Sequence, residues 1–273
     1  MTEQSTNANA ESVLLTRDGA VATLSLNRPA ALNALDLPMM DALVARIATI
    51  SADSALRVVV LQGAGKHFMA GGDLKWFNAL ADGKSPSDNR AQFEGFIQEA
   101  HTIILALRRM PKPVIASVRG AVAGFGMSLM MATDLVLASD NAYFTLAYTL
   151  IGVSPDGGST FALPRIVGQK KAMEIALLGE RFDAATAERL GLVNRVFPVD
   201  LLESETNKLA ARLAAGPTAV YARTKALLNG SLNSSLESQL QREADAFAQC
   251  ASEPDFREGL AAFIQKRKPQ WHR

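Results

Sequence analysis

Two uninterrupted apolar runs, VVVLQG (58–63) and PVIASV (113–118), constrain this chain more than any other feature. A strand with one face in water alternates apolar and polar side chains, whereas a strand covered on both faces does not. Each run leads through a glycine-rich turn into helical spacing. HFMAGGDL (67–74) follows the first, and GAVAGFGM (120–127) follows the second, with a helix expected from Gly126 to Thr133. Upstream, VLLTRDGAVATLSLN reads as two strands joined at Asp18-Gly19, a hairpin signal between alternating apolar residues. LDLPMMDALVARIATI (35–50) has helical spacing, with Asp36 as its N-cap. Strand, helix and strand in this order suggest a βαβ crossover, and the class is α/β.

Beyond these elements, residues 90–109 form an amphipathic helix, and ADGKSPSDN (81–89) reads as a mobile surface loop because nothing in it is cheaply buried. From Gly168 onward only helical patterning is visible, apart from a short strand near Asn194 to Phe197. The expected organisation is a disordered polar lead (1–12), an α/β core (13–200) and a C-terminal helical region (201–273). The lead, MTEQSTNANAE, looks like neither a secretory signal nor an arginine-rich transit peptide. The most apolar window, Val122 to Ala138, is broken by Asp134 and falls short of the roughly 20 residues that span a bilayer. A soluble, cytoplasmic protein without a membrane partner is expected.

Charge and cysteine content narrow the function. Lysine plus arginine number 28 against 27 aspartate plus glutamate, so no global field recruits nucleic acid. The single Cys250 rules out an internal disulfide framework and a cysteine-based metal cluster. His67 has no H-x-x-x-H or carboxylate companion at ligand spacing, so no metal and no redox cofactor are expected.

The chemistry is sought in the glycine turns. A strand-to-helix turn leaves the first helical N–H groups without intrahelical partners, and glycine lets a ligand approach that backbone closely. Two such turns side by side can aim two donors at one oxyanion. The alternative is that the glycines only permit close packing.

The motifs NRPAALNAL (27–35), HFMAGGDL, KPVIASVRGAVAGFGMSL, GVSPDGGSTFALPRIVG (152–168), AERLGLVNRV (187–196) and FREGLAAFIQKRKPQW (256–271) occur in an order that resembles the crotonase (enoyl-CoA hydratase/isomerase) superfamily, from about Val13 to Trp271. The resemblance implies a ββα spiral core with a C-terminal helical trimerisation region, and an acyl-CoA thioester as substrate with no other cofactor. It implies that the backbone N–H groups of Gly72 and Phe125 hold the thioester oxygen. Ala31, Leu32, Ala70, Asp73, Leu74 and Lys75 would hold the adenine and pantetheine portions of CoA. Phe263 and Lys266 would reach the CoA of a neighbouring subunit, which implies a homotrimer or a dimer of trimers. An apolar stripe with Leu260 would instead make Phe263 a core residue.

The acid and base residues distinguish reactions within such a family. Hydratases of the family use two glutamates, and the matching positions here are Ser128 and Tyr148. Neither is a useful base near neutral pH, since tyrosine titrates near about 10 and serine far higher. Asp156 stands where hydratases have glycine, and relatives with a carboxylate there move a double bond between the 3,4 and 2,3 positions. Without the resemblance, Asp156 reads as a helix N-cap. His101 matches a histidine of relatives that dehalogenate aryl-CoA substrates, where an aspartate is the nucleophile. The expectation is 3-enoyl to 2-enoyl isomerisation with Asp156 as acid/base. The alternatives are hydration with non-standard residues, a dehalogenase or thioester hydrolase using Asp156 and His101, and a non-catalytic acyl-CoA binder. Trp76, Phe77, Met130 and Tyr148 are candidates for the acyl pocket, with Trp76 and Met130 equally good as core residues.

Overall fold

The computed structural model describes residues 11–271, so all but the last two residues of the expected disordered lead lie outside the described residues. Strands β1 (Val13–Asp18) and β2 (Val21–Leu26) form the expected antiparallel hairpin. Helix α1 (Leu37–Ala52) follows, with the Asp36 carboxylate accepting the Met39 N–H at 3.0 Å as an N-cap should. Then come β3 (Val58–Gly63), α2 (Leu74–Ala81), α3 (Pro86–Arg109), β4 (Val114–Val118), β5 (Ala121–Ala123) and α4 (Phe125–Met131). β6 (Leu135–Ser139), β7 (Tyr143–Thr145), α5 (Ser159–Val167), α6 (Gln169–Leu178), β8 (Phe182–Asp183), α7 (Ala184–Arg189) and β9 (Arg195–Phe197) continue the core. Four helices end the chain: α8 (Leu202–Ala214), α9 (Thr218–Ser231), α10 (Leu236–Ala251) and α11 (Pro254–Ile264).

The larger sheet has the order β1-β2-β3-β4-β6-β9, and every pairing after the first hairpin is parallel. Its two faces carry different layers. Val59, Leu61, Val114 and Ala116 belong to the cluster that includes α1 and α3, whereas Val58, Val60 and Ile115 pack with Leu202 and Ala210 of α8. That two-sided cover is why the runs in β3 and β4 are apolar without alternation. A smaller sheet, β5-β7-β8, stands beside it, and Met69 forms an isolated parallel bridge to Val122 of β5. The chain therefore repeats one unit: a long strand, a short strand or bridge turned into the second sheet, and a helix or helical turn. This is the ββα spiral.

The structure corrects three expectations. Residues 86–89 are not loop but the first turn of α3, because Ser85 caps the Asp88 N–H at 3.2 Å and Pro86 occupies the first helical position, where its missing N–H costs nothing. The connection between α2 and α3 shrinks to residues 82–85. Strands β5, β6 and β7 were not expected, being three to five residues long, and β8, of two residues, breaks the helical pattern beyond Gly168. No helix of the described residues is long and apolar enough to cross a membrane.

Of the C-terminal helices, α8 packs on the sheet and α9 is tied to the core by specific polar contacts. Lys225 of α9 donates to the Leu107 and Lys112 carbonyls at 2.9 and 3.2 Å and pairs with Asp134 at 2.7 Å. Phe247 and Phe256 join α10 to α11 edge to face.

Candidate active site

Three backbone segments converge beside the ends of β3 and β4. Leu35 N–H donates to the Gly71 carbonyl and Asp73 N–H to the Leu35 carbonyl, both at 2.8 Å, while Ala70 N–H donates to Leu32 at 3.1 Å. On the other side, Met69 N–H donates to Ala121 at 3.0 Å and Ala123 N–H to Met69 at 2.9 Å. In the bridge between Leu35 and Gly72 the bonds come from the residues flanking Gly72, so the N–H of Gly72 itself points away and has no partner among the described residues. Phe125 opens α4, and its N–H has no intrahelical acceptor.

Glycines bring these two donors together. A β-carbon on Gly71 would lie 3.7 Å from the Phe125 nitrogen, and one on Gly124 would lie 3.4 Å from the Gly71 Cα. Gly124 caps α4 with φ 50° and ψ −123°, a combination that side-chain-bearing residues avoid. On Gly126 an added β-carbon would collide with the Met69 carbonyl oxygen. Two unpartnered N–H groups on adjoining backbones form an arrangement able to hold an oxyanion.

The turn that carries Ala31 and Leu32 is fixed from below by a residue that the sequence reading passed over. Asn33 is fully buried in a left-handed conformation, its amide donating to the carbonyls of Ala64, His67 and Phe68 and its oxygen accepting the Arg28 N–H at 2.8 Å. Arg28 in turn bridges Asp36 and Asp73, both at 2.9 Å. The Asp73 carboxylate also caps α2 through Lys75 and Trp76, and although partial burial opposes it, these donors and the guanidinium hold its pKa below the ordinary value. The Asp73 side chain is thus committed to the scaffold, and so is its backbone, whose N–H donates to Leu35 and whose carbonyl accepts the Phe77 N–H at 2.8 Å. An asparagine five residues after Arg28 in NRPAALNAL was the available signal, but only the fold reveals what its amide spans.

The second half of the site is a compact cluster of polar side chains. Tyr148 donates its hydroxyl to Asp156 Oδ1 at 2.6 Å, and Ser128 of α4 donates to the Asp156 carbonyl at 3.0 Å. Ser128 lies one turn after Phe125, so α4 presents both toward the same neighbours. His101 of α3 accepts the Gly157 N–H on Nε2 at 3.2 Å, which requires the neutral tautomer with the proton on Nδ1. Burial raises the Asp156 pKa, opposed by the Tyr148 hydrogen bond. Burial and the adjacent carboxylate push the Tyr148 phenol well above its usual range, so it remains a donor. Asp156 does not act as a helix cap: α5 starts at Ser159 behind Gly158, and only the Asp156 carbonyl accepts the Ser159 N–H.

The other candidates fall into place around this core. Trp76 and Phe77 pack with Phe93 and Phe96, at 4.7 Å between the Trp76 and Phe96 rings, and join α2 to α3. Met130 is fully buried in the main core. Leu74 and Lys75 are exposed at the start of α2. Phe263 is 86% exposed on α11, so it is not a core residue of the chain, and Lys266 lies in the exposed turn that follows. Among the described residues, no group of three or more His, Cys, Asp or Glu side chains is placed to hold a metal.

The family model for enoyl-CoA hydratase/isomerase matches residues 16–273. The chain is 35% identical over 261 residues to 1,2-epoxyphenylacetyl-CoA isomerase of Escherichia coli (strain K12), covering 96% of this chain and 98% of that protein. It is 32% identical over 259 residues to crotonyl-CoA hydratase of Syntrophomonas wolfei, covering 94% and 96%. The crystal structure of an enoyl-CoA hydratase from Polaromonas sp. JS666 superposes with a TM-score of 0.89 at 35% identity, covering 95% of this chain and 99% of that one.

Proposed function

Because the chain belongs to the enoyl-CoA hydratase/isomerase family, we propose that this enzyme moves a double bond of an acyl-CoA thioester from the 3,4 to the 2,3 position. The observation that carries the reading is the single carboxylate of the polar cluster, Asp156, with hydroxyls of Tyr148 and Ser128 in place of further acids. Adding water across a double bond asks for an activated water and a separate proton donor to carbon. Shifting a double bond asks for one group that takes a proton from C2 and returns it to C4.

Asp156 is suited to that task. Tyr148 occupies Oδ1, which leaves Oδ2 to accept the C2 proton. As the proton leaves, negative charge moves onto the thioester oxygen, where the Gly72 and Phe125 N–H groups would receive it. The protonated carboxyl then delivers to C4 of the dienolate. Burial, which lifts the Asp156 pKa, brings it closer to that of the carbon acid and makes the carboxylate a stronger base for the C2 proton. The dehalogenase alternative is weakened by His101, whose Nε2 is engaged by Gly157 and is not free to activate water.

CoA would lie along Ala31, Leu32, Ala70 and the start of α2, and no cofactor beyond the CoA moiety is invoked. Exposed apolar side chains on the C-terminal helices, including Leu228, Leu232, Phe263 and Ile264, support assembly into a homotrimer or a dimer of trimers.

The test compares wild type with Asp156→Asn on a 3-enoyl-CoA, a 2-enoyl-CoA and 4-chlorobenzoyl-CoA. Isomerisation that falls at least about 100-fold in the variant supports the proposal. Hydration that survives in the variant, or chloride release by the wild type, overturns it.

A further inference from the structure

A cavity of about 370 Å³ opens between α3, α4, α5 and α9, and no part of the family chemistry described above uses it. Its volume lies in the range of small-molecule sites. Its lining includes Ser128, which donates to the Asp156 main-chain carbonyl, and Gly157, which follows Asp156 in the chain and whose added β-carbon would lie 3.1 Å from the Phe125 ring. From there it follows one face of α4 past Met131 and Ala132. Helical rise over the seven residues from Phe125 to Ala132 places this end roughly 10 Å along α4 from the Phe125 N–H. An acyl chain whose thioester oxygen sits at Phe125 and whose C2 faces Asp156 would continue in this direction.

The lining changes character along its length. Met131, Ala132 and Ile104 are apolar, whereas the rim carries Arg108, Arg109, Asn229 and Asn233 and no carboxylate. Arg108 is half-buried and held in place: it donates to Asn229 Oδ1 at 2.7 Å, Asn229 donates back to its carbonyl at 3.0 Å, and its guanidinium lies 5.7 Å from the Phe161 ring. Neither arginine forms an ion pair with a described residue. A guanidinium has five donors, and a single amide oxygen leaves most of them for an anion.

We propose that this cavity receives the distal end of the acyl group and that Arg108 pairs with a terminal carboxylate, so that the enzyme acts on enoyl-CoA thioesters of dicarboxylic acids. The inference rests on the reading of Gly72, Phe125 and Asp156 given above, and it adds the substrate class. A plain alkyl end would leave the oriented guanidinium with Asn229 as its only hydrogen-bond acceptor among the described residues. A carboxylate would accept a charge-assisted, two-pronged bond.

The experiment measures binding, so that it stands apart from turnover. Suberoyl-CoA, the mono-thioester of an eight-carbon dicarboxylic acid, is compared with octanoyl-CoA by calorimetry on the full chain. Wild type is expected to bind suberoyl-CoA about tenfold tighter or more, and Arg108→Met to erase that preference. Should the variant fold poorly, the wild-type preference is followed against salt, where it should narrow as the charge pair is screened. Equal affinity of the two thioesters for wild type, a preference that survives in Arg108→Met, or a preference indifferent to salt would overturn the inference. A wild-type preference for suberoyl-CoA that Arg108→Met abolishes, in an enzyme that isomerises no 3-enoyl-CoA, would uphold this inference and defeat the isomerase reading alone.

Discussion

The hydroxyl of Tyr148 donates to Asp156 Oδ1 at 2.6 Å, and the same hydroxyl lies 3.4 Å from Ser128 Oγ, so the carboxylate is tethered on one oxygen only. The tether works against burial. Burial raises the Asp156 pKa, and the phenol restrains that rise by stabilising the ionised form.

Tyr148→Phe is therefore expected to raise the Asp156 pKa further. A base must be ionised to take the C2 proton, so the acid limb of the pH–rate profile should move to higher pH in the variant. Turnover on its plateau should fall by no more than about tenfold, in keeping with loss of one positioning bond. A profile of kcat/KM against pH checks this, and a limb that stays in place or moves down would contradict it.

The same burial has a consequence for stability. A carboxyl whose folded pKa is raised binds protons more tightly in the folded state, so its contribution favours folding below the ordinary value of 3.8 and is lost as pH climbs through the raised value. Asp156→Asn cannot ionise. Near pH 7 it should melt at a higher temperature than wild type, and the difference should vanish below about pH 4. Thermal melts across that range decide it, and a variant less stable than wild type at neutral pH would be the contrary result.

Glycine substitutions separate packing from chemistry in the two turns. An added β-carbon on Gly126 meets the Met69 carbonyl oxygen, which sits in a bridge and cannot retreat, whereas one on Gly72 meets only the outer edge of the Phe77 ring. Gly126→Ala should cost about 1–3 kcal/mol of stability. Gly72→Ala should fold with a smaller loss while perturbing the N–H assigned to the thioester oxygen, so kcat falls more than stability does. Denaturant titrations beside kcat measurements distinguish the two, and equal behaviour of both variants would argue against separate roles.

How much of this was legible beforehand follows from the length and burial of each element. The runs at 58–63 and 113–118 declared themselves because two layers cover them, and Asp36 declared α1 because a cap is a local signal. β5 and β7 did not, since three residues are too few to show a period and their pairing joins segments more than 20 residues apart. The start of α3 was misplaced because SPSD is polar, although Ser85 and Pro86 are themselves start signals. At the site, residue types at Ser128, Tyr148, Asp156 and His101 could be read in order. What the sequence did not disclose is that His101 accepts from Gly157 and that Asn33 spans three carbonyls, because both depend on long-range packing.

The attachment of α9 supplies the last prediction. Lys225 Nζ reaches Asp134 and two carbonyls, and burial lowers the lysine pKa while raising that of Asp134, both opposed by the mutual attraction of the pair. Removing Lys225 takes away the main compensation for the desolvation of Asp134, while the Val114 N–H at 2.8 Å, the charge of Arg108 and the partial exposure of Asp134 temper the cost. Lys225→Met should destabilise the protein by about 2 kcal/mol, with Lys225→Met/Asp134→Asn recovering part of the loss. Because the same helix presents Asn229 to Arg108, the single variant should also loosen the rim of the cavity, and hydrogen exchange should rise first along α9. A double variant no more stable than Lys225→Met would mean that the lysine acts through its two carbonyl bonds rather than through Asp134.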